Sequence, residues 1–243
     1  LLHGMLNLSE QVLAFDFNLA CSGYIYGLAL ANGLIKTKVA TNILMINADT
    51  YSKYINDSDR SSKLLFGDAA AVTHLNRSDD GKGLIDIICS TSGINYRKFI
   101  IPAGGMRKPK SNETKLESKD KSGNIRNQEE IHMDGLGIFS FVNAKVPKQV
   151  LEILKRNQYE IENIDLFVFH QASKLALESL TKILKIEPDK VYINIDKIGN
   201  TVSASIPIAL KDAQEEGKIK NGYKVLCSGF GVGLSWGTCI LQF

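Results

Sequence analysis

The run Val12-Leu13-Ala14-Phe15-Asp16, a polar turn and the small-residue stretch Cys21 to Lys36 set a pattern that returns about 180 positions later, as Val191-Tyr192-Ile193-Asn194-Ile195-Asp196, a second polar turn and the stretch Ser203 to Glu216. A further apolar run follows each time, Asn42 to Asn47 in the first copy and Lys224 to Cys227 in the second. Each copy then closes on a glycine-bearing turn leading into a β-rich segment, Phe66-Gly67-Asp68-Ala69-Ala70-Ala71-Val72 and Gly231-Val232-Gly233-Leu234-Ser235-Trp236-Gly237. Strand, helix, strand and hairpin, twice over, predict two stacked α/β halves with buried apolar strands. Asp16 and Asp196 occupy matching places. The second copy has one more unit in front of it, the strand Ile164 to Phe169 and a helix beginning near Ser173, and its counterpart is expected to precede Leu1.

Composition narrows the function classes. In 243 residues, 44% hydrophobic and 23% charged, there is ample material for a core, so disordered, collagen-like and coiled-coil chains are excluded. A net charge of +3 is too mild for a protein whose affinity comes from neutralising nucleic-acid phosphates. The longest apolar stretch, Phe15 to Ile35, is broken by Asp16, Asn18, Ser22 and Asn32, so no membrane span is expected. Cys21, Cys89, Cys227 and Cys239 form no C-x-x-C pair and have no histidine at ligand spacing, which points to reduced thiols in a cytoplasmic protein without a metal site. Leu1 is neither an initiator Met nor part of a signal-peptide pattern, and the chain is expected to be a piece of a longer protein.

These readings divide the chain into an N-terminal half (1–103), a polar stretch rich in Lys, Ser, Asn and Glu (104–130), and a C-terminal half (131–243). The polar stretch fits a mobile solvated loop or a flap that touches a partner.

Ligands of α/β sheets bind beyond the carboxyl ends of strands, so reactive residues placed there carry most weight. Cys21 follows the first strand and opens a helix, whose unpaired N–H groups favour a thiolate. The same position suits a small buried hydrophobe equally well. Cys89, Cys227 and Cys239 lie in apolar β-like runs and read as core. His170 directly follows Phe169, and Asn200 lies in the turn Gly199-Asn200-Thr201. Singly, these two read as a structural histidine and a turn residue with positive φ. Together with Cys21, they form a nucleophile and two neutral donors, a set suited to acylating the thiol and then stabilising an oxyanion or enolate.

Ala14-Phe15-Asp16, Ala20-Cys21-Ser22-Gly23, Phe66-Gly67-Asp68, His170-Gln171-Ala172, Gly199-Asn200-Thr201 and Phe230-Gly231-Val232-Gly233 with Trp236-Gly237 resemble the β-ketoacyl-(acyl-carrier-protein) synthase III family of thiolase-fold condensing enzymes. The resemblance runs in order along the whole chain and implies a layered α/β/α/β/α fold of two duplicated βαβαββ-type halves. It also implies that roughly the first ninety residues of such proteins are lacking, in line with the repeat.

By this resemblance Cys21 takes the acyl group from an acyl-CoA, while His170 and Asn200 hold the thioester carbonyl of a malonyl-acyl-carrier protein as carbon dioxide leaves. Backbone N–H groups of Cys21 and Val232 form the oxyanion hole next to Gly231. Phe66 and Phe139 match aromatic residues near the thiol, and Arg60 matches a residue that meets the CoA nucleotide; core packing and a surface ion pair are the plain alternatives. No cofactor is implied, CoA and the carrier's phosphopantetheine being substrate handles. A homodimer working in fatty acid biosynthesis is implied too, with desolvation keeping His170 neutral.

Two departures qualify the match. Val232 replaces the middle glycine of a triple-glycine turn, which puts the primer preference in doubt. Leu175 stands where the family has its main carrier-binding arginine, leaving Lys174, Lys182 and Lys185 as docking candidates or as an ordinary solvated face. Transfer to an alcohol or amine without chain growth, and a non-catalytic subunit, are the competing readings. Asn200 argues against the first, and the full triad argues against the second. A biosynthetic thiolase is disfavoured by the absence of a cysteine between Gly231 and Gly237.

Overall fold

Leu166, Phe167, Val168 and Phe169 are all buried, the mark of a strand covered on both faces. Their side chains alternate, Phe167 and Phe169 entering one apolar core and Leu166 and Val168 the other. This strand anchors a computed structural model that describes residues 1–120 and 123–243.

The helices are α1 (Leu2–Met5), α2 (Gly23–Lys36), α3 (Arg60–Lys63), α4 (Gly135–Arg156), α5 (Lys174–Leu184), α6 (Ile195–Ile198) and α7 (Ser205–Glu215). The longer strands are β1 (Asn42–Asp49), β2 (Ala69–Asn76), β3 (Gly83–Thr91), β8 (Leu166–Phe169), β9 (Lys224–Gly231) and β10 (Ser235–Gln242). Between them lie the two-residue strands β4 (Phe99–Ile100), β5 (Ser118–Lys119), β6 (Ile125–Arg126) and β7 (His132–Met133).

A four-stranded sheet runs in the order β3-β10-β9-β8, with β8 parallel to β9 and the other pairs antiparallel. Helices α4 and α5 cover one face, where Val142, Val146, Val150, Leu177 and Leu180 meet Phe167, Phe169 and Phe230. Helices α2 and α7 cover the other with Ile25, Leu28, Ile206 and Ala209. Beyond them lies the antiparallel pair β1-β2, joined to this core through Met45. The layers among the described residues are therefore helices, sheet, helices and ribbon. The outer face of the ribbon is exposed at Leu44, Ile46 and Val72, so the last helical layer of the expected five-layer arrangement is not among the described elements.

Two predicted strands take other forms. Val12 to Asp16 joins no ladder, because a strand needs a neighbour and β1 pairs with β2 alone among the described residues. Val191 starts a parallel ladder with a single bridge to Phe167, and the chain then turns into α6. Gln171 explains the turn: its carboxamide nitrogen donates to the carbonyls of Phe169 (2.8 Å) and Tyr192 (3.3 Å), and its oxygen accepts the Asn194 N–H at 3.0 Å. One side chain thus takes the backbone groups that a longer ladder requires. The predicted helices from Cys21 and from Ser203 both open with a 3₁₀ turn, Ala20–Ser22 and Val202–Ala204.

The polar stretch 104–130, of which residues 121 and 122 lie outside the described residues, is anchored to the body. Thr114, Asn124 and Arg126 are buried. Arg126 Nε donates to Asp59 Oδ2 at 2.6 Å and its Nη2 to Oδ1 at 3.1 Å. Asp59 also caps α3 by accepting the N–H groups of Ser61 and Ser62. Burial pushes the Asp59 carboxyl up, but the hydrogen bonds from Arg126, Ser61 and Ser62 outweigh it and hold the carboxyl at about 2. The composition of this stretch reads as solvated because its polar groups satisfy one another, as where Thr114 Oγ1 donates to Glu129 at 2.7 Å.

Candidate active site

Cys21 sits in the 3₁₀ turn ahead of α2, after Ala20, whose φ of 43° lies in the left-handed region that non-glycine residues rarely occupy. The thiol is 2% exposed. Two glycines of β9 let the turn approach so closely: a Cβ on Gly229 would stand 2.9 Å from the Cys21 carbonyl oxygen, and one on Gly231 only 2.8 Å from Sγ. The sulfur accepts a hydrogen bond from the Val232 N–H, which lowers its pKa, but burial dominates and nearby Asp49 adds to it, pushing the thiol up to about 12. Of the two sequence readings of Cys21, the start of a helix is as expected, while its burial works against the thiolate and favours the thiol.

The turn that carries Val232 is fastened by two buried hydroxyls. Ser235 Oγ donates to the Val232 carbonyl at 2.6 Å and lies 2.6 Å from Ser22 Oγ, next to the nucleophile. Phe66, Tyr51 and Val232 pack against the cluster of Ala20, Cys21 and Val202. The Tyr51 and Phe66 rings lie 5.2 Å apart, with Phe99 6.0 Å beyond Phe66. Tyr51 carried no sequence signal; only the fold brings it to the thiol.

His170 leaves the end of β8 with its N–H on the Ser228 carbonyl at 2.8 Å. Its ring meets Phe230 edge-on, 5.6 Å between centroids, and its Nδ1 lies 2.6 Å from Ser205 Oγ. Burial lowers its pKa to about 3, so the imidazole is neutral, as expected from desolvation. Asn200 is fixed on both sides, its Nδ2 donating to the Ala172 carbonyl at 3.3 Å and its Oδ1 accepting the Val202 N–H at 3.0 Å. Its backbone forms a parallel bridge with Phe66, Gly67 N–H donating to the Asn200 carbonyl (3.0 Å) and Asn200 N–H to that of Leu65 (2.8 Å). Gly67 is required there, since a Cβ would fall 2.1 Å from the Ile198 carbonyl oxygen.

These contacts bring Cys21 and His170 to the end of β9 and link Asn200 to the neighbours of both. Gly231 touches Cys21 and Phe230 touches His170, while Asn200 is tied to the residues that follow His170 and to the Val202 turn that packs on Cys21. The remaining candidates are spread more widely. Phe139 is half-buried on the first turns of α4 and is not among the side chains packed around Cys21. Arg60 is exposed, and Asp59 beside it pairs with Arg126. Lys174, Lys182 and Lys185 are exposed on α5 and its C-cap, the last two bordering a groove of about 520 Å³ that also presents Glu178 and Glu187. Ser205 had no sequence signal, because its contact with His170 is purely tertiary.

The comparisons bear on the same features. Residues 15–93 match the family model described as 3-oxoacyl-[acyl-carrier-protein (ACP)] synthase III, and residues 154–243 match the model of its C-terminal part. A β-ketoacyl-[acyl-carrier-protein] synthase III of Caldanaerobacter subterraneus subsp. tengcongensis is 39% identical over 230 residues, covering 95% of this chain and 67% of its own length. One from Campylobacter curvus is 39% identical over 238 residues, covering 98% of this chain and 68% of its own. A crystal structure of a 3-oxoacyl-(acyl-carrier-protein) synthase III superposes over 100% of this chain and 72% of its own with a TM-score of 0.97 at 38% identity. Agreement in sequence, backbone and the order of the site's motifs places the chain in the β-ketoacyl-(acyl-carrier-protein) synthase III family, with its thiolase-like fold.

Proposed function

We propose that this chain is an acyltransferase that joins an acyl group, taken from an acyl-CoA onto Cys21, to the two-carbon unit of a malonyl-acyl-carrier protein. The observation that supports the reading is that Gly231 and Phe230, neighbours at the end of β9, pack on a thiol under the Val232 N–H and on a neutral imidazole respectively, with a carboxamide fixed between Ala172 and Val202.

In the first half-reaction the Cys21 sulfur attacks the thioester carbonyl of the primer. The C–S bond to CoA breaks, and the thiol's proton ends on the departing CoA sulfur. With a thiol pKa of about 12, loss of that proton accompanies attack and does not precede it. Backbone N–H groups of Cys21 and Val232 receive the developing oxyanion, and removing one such donor typically costs roughly 3 to 4 kcal/mol.

In the second half-reaction the malonyl carboxylate leaves as carbon dioxide, and its bonding pair becomes an enolate whose oxygen is met by His170 and Asn200. The enolate carbon attacks the acyl carbonyl, and the tetrahedral intermediate expels the Cys21 sulfur, which takes up one proton. Decarboxylation drives the bond formation and neutral donors meet the charge, so the chemistry calls for no cofactor beyond CoA and phosphopantetheine as handles. In the same reading Phe66 borders the acyl chain next to Gly231, Phe139 reaches it only beyond the side chains packed on Cys21, Arg60 meets the CoA nucleotide, and Lys174, Lys182 and Lys185 face an acidic carrier. The protein works as a cytoplasmic homodimer.

Intact-mass spectrometry with a panel of acyl-CoAs, followed by malonyl-carrier, tests the proposal. An acyl adduct and then a β-ketoacyl-carrier are expected. Acyl transfer to a hydroxyl acceptor without chain growth overturns the condensation, and no adduct with any primer overturns the enzyme reading.

A further inference from the structure

A neutral imidazole carries one ring proton, and the nitrogen that holds it decides whether the other end of the ring donates or accepts. His170 Nδ1 has Ser205 as its one hydrogen-bond partner among the described residues, at 2.6 Å. The Ser205 hydroxyl has a single hydrogen and two acceptors in reach, Nδ1 and, at 3.0 Å, the Val202 carbonyl oxygen. That carbonyl already accepts the backbone N–H of Ser205. The Gln171 N–H donates toward Ser205 Oγ at 3.4 Å, occupying one of its lone pairs and leaving the hydroxyl hydrogen free to turn to the ring. All of these groups are buried: His170 is 1% exposed, and Gln171 and Ser205 are 0% exposed. Sealed from bulk solvent, the hydroxyl hydrogen chooses between the ring and the carbonyl, its two acceptors among the described residues.

We propose that Ser205 donates its hydroxyl hydrogen to His170 Nδ1 and thereby keeps the ring proton on Nε2, where it serves as a donor to the substrate's thioester carbonyl. Ser205 is a positioning residue, acting only through His170. The assignment deepens the proposed function and rests on it for the identity of the carbonyl. It also separates the half-reactions: a ring that donates from Nε2 cannot take the Cys21 proton, so primer loading depends little on Ser205 and decarboxylation depends on it strongly. In the opposite arrangement the hydroxyl turns to Val202, Nδ1 carries the proton, and Nε2 is a bare acceptor.

Nitrogen NMR of the protein labelled with ¹⁵N-histidine reads the tautomer directly, and the four histidines are few enough for His170 to be assigned by its loss in His170→Gln. The expected spectrum shows a protonated Nε2 and an unprotonated Nδ1, with the preference lost in Ser205→Ala and restored in Ser205→Thr. In the same variants the malonyl-carrier decarboxylation rate should fall about tenfold or more in Ser205→Ala and recover in Ser205→Thr, while Cys21 acylation changes by less than about threefold. A wild-type spectrum with the proton on Nδ1, or equal losses in both half-reactions, overturns the assignment. Should Ser205→Ala not fold, the wild-type spectrum alone decides. A wild-type protein with the expected tautomer but no acyl adduct refutes the proposed function and leaves the tautomer standing.

Discussion

Cys21 is held by backbone and by reserved space, with the Val232 N–H on its sulfur and glycines at 229 and 231 beside it, whereas His170 and Asn200 are held by hydrogen bonds to their side chains. Burial neutralises both centres, raising the thiol to about 12 and lowering the imidazole to about 3. The difference between them lies in what each tolerates. The sulfur's surroundings are sensitive to any atom added, and the donors are sensitive to any polar atom removed. An acylated sulfur needs room, while an enolate needs aimed hydrogens that do not have to reorganise when the charge arrives.

The largest effect is expected where the two sides share a reagent. Cys21→Ala should abolish the acyl adduct in intact-mass spectra and with it all condensation; a surviving adduct would move the nucleophile elsewhere. Asn200→Ala sharpens the contrast, because removing one preorganised donor should lower condensation on the order of 10²- to 10³-fold while acylation of Cys21 persists. Parallel loss of both activities in single-turnover assays would merge the two sides into one. Gly231→Ala probes the reserved space: a methyl 2.7 Å from Cys21 Cβ and 2.8 Å from Sγ should slow acylation about tenfold or more, with Asn200 untouched. Unaltered acylation would show that the β9 turn yields.

The last effect concerns stability and leaves the wild type's activity at neutral pH unchanged. The folded state holds His170 at about 3 against an ordinary value near 6.5, so between those limits the unfolded chain binds a proton that the folded chain refuses. Stability from this residue is therefore full above about pH 6.5 and declines as the pH falls toward 3, by at most about 1.4 kcal/mol per pH unit. Urea unfolding at several pH values should show a shallower decline for His170→Gln than for the wild type; parallel curves would mean that the imidazole is solvated.

Much of this was legible in the chain itself. Leu166–Phe169 announces a doubly covered strand by its unbroken apolar run, and His170 at its end is placed by the same reading. Ser173 sits at the start of its helix and accepts the Ala176 N–H, as short polar side chains do there. The repeat located β1, β2, β9 and β10, because alternating strands and helices leave a periodic trace. What stayed hidden is tertiary in origin. Val12 to Asp16 has the composition of a strand, but composition does not supply a ladder partner. Val191 begins one and loses it to the carboxamide of Gln171. The thiol's protonation follows from how much water the fold removes, which a position at a helix start does not reveal. Ser205 and Tyr51 reach the site by packing alone.

The bridge between Phe66 and Asn200 bears on how such a protein can be recombined. Two backbone hydrogen bonds, 2.8 and 3.0 Å long, stitch a ring from the first half of the chain to the carboxamide of the second. A chimera assembled by cutting within residues 104–130 and grafting one half from a relative imports one edge of that seam without its mate. Since any residue but proline supplies those N–H and C=O groups, what the two parents must share at that junction is the missing side chain of Gly67 under the Ile198 carbonyl.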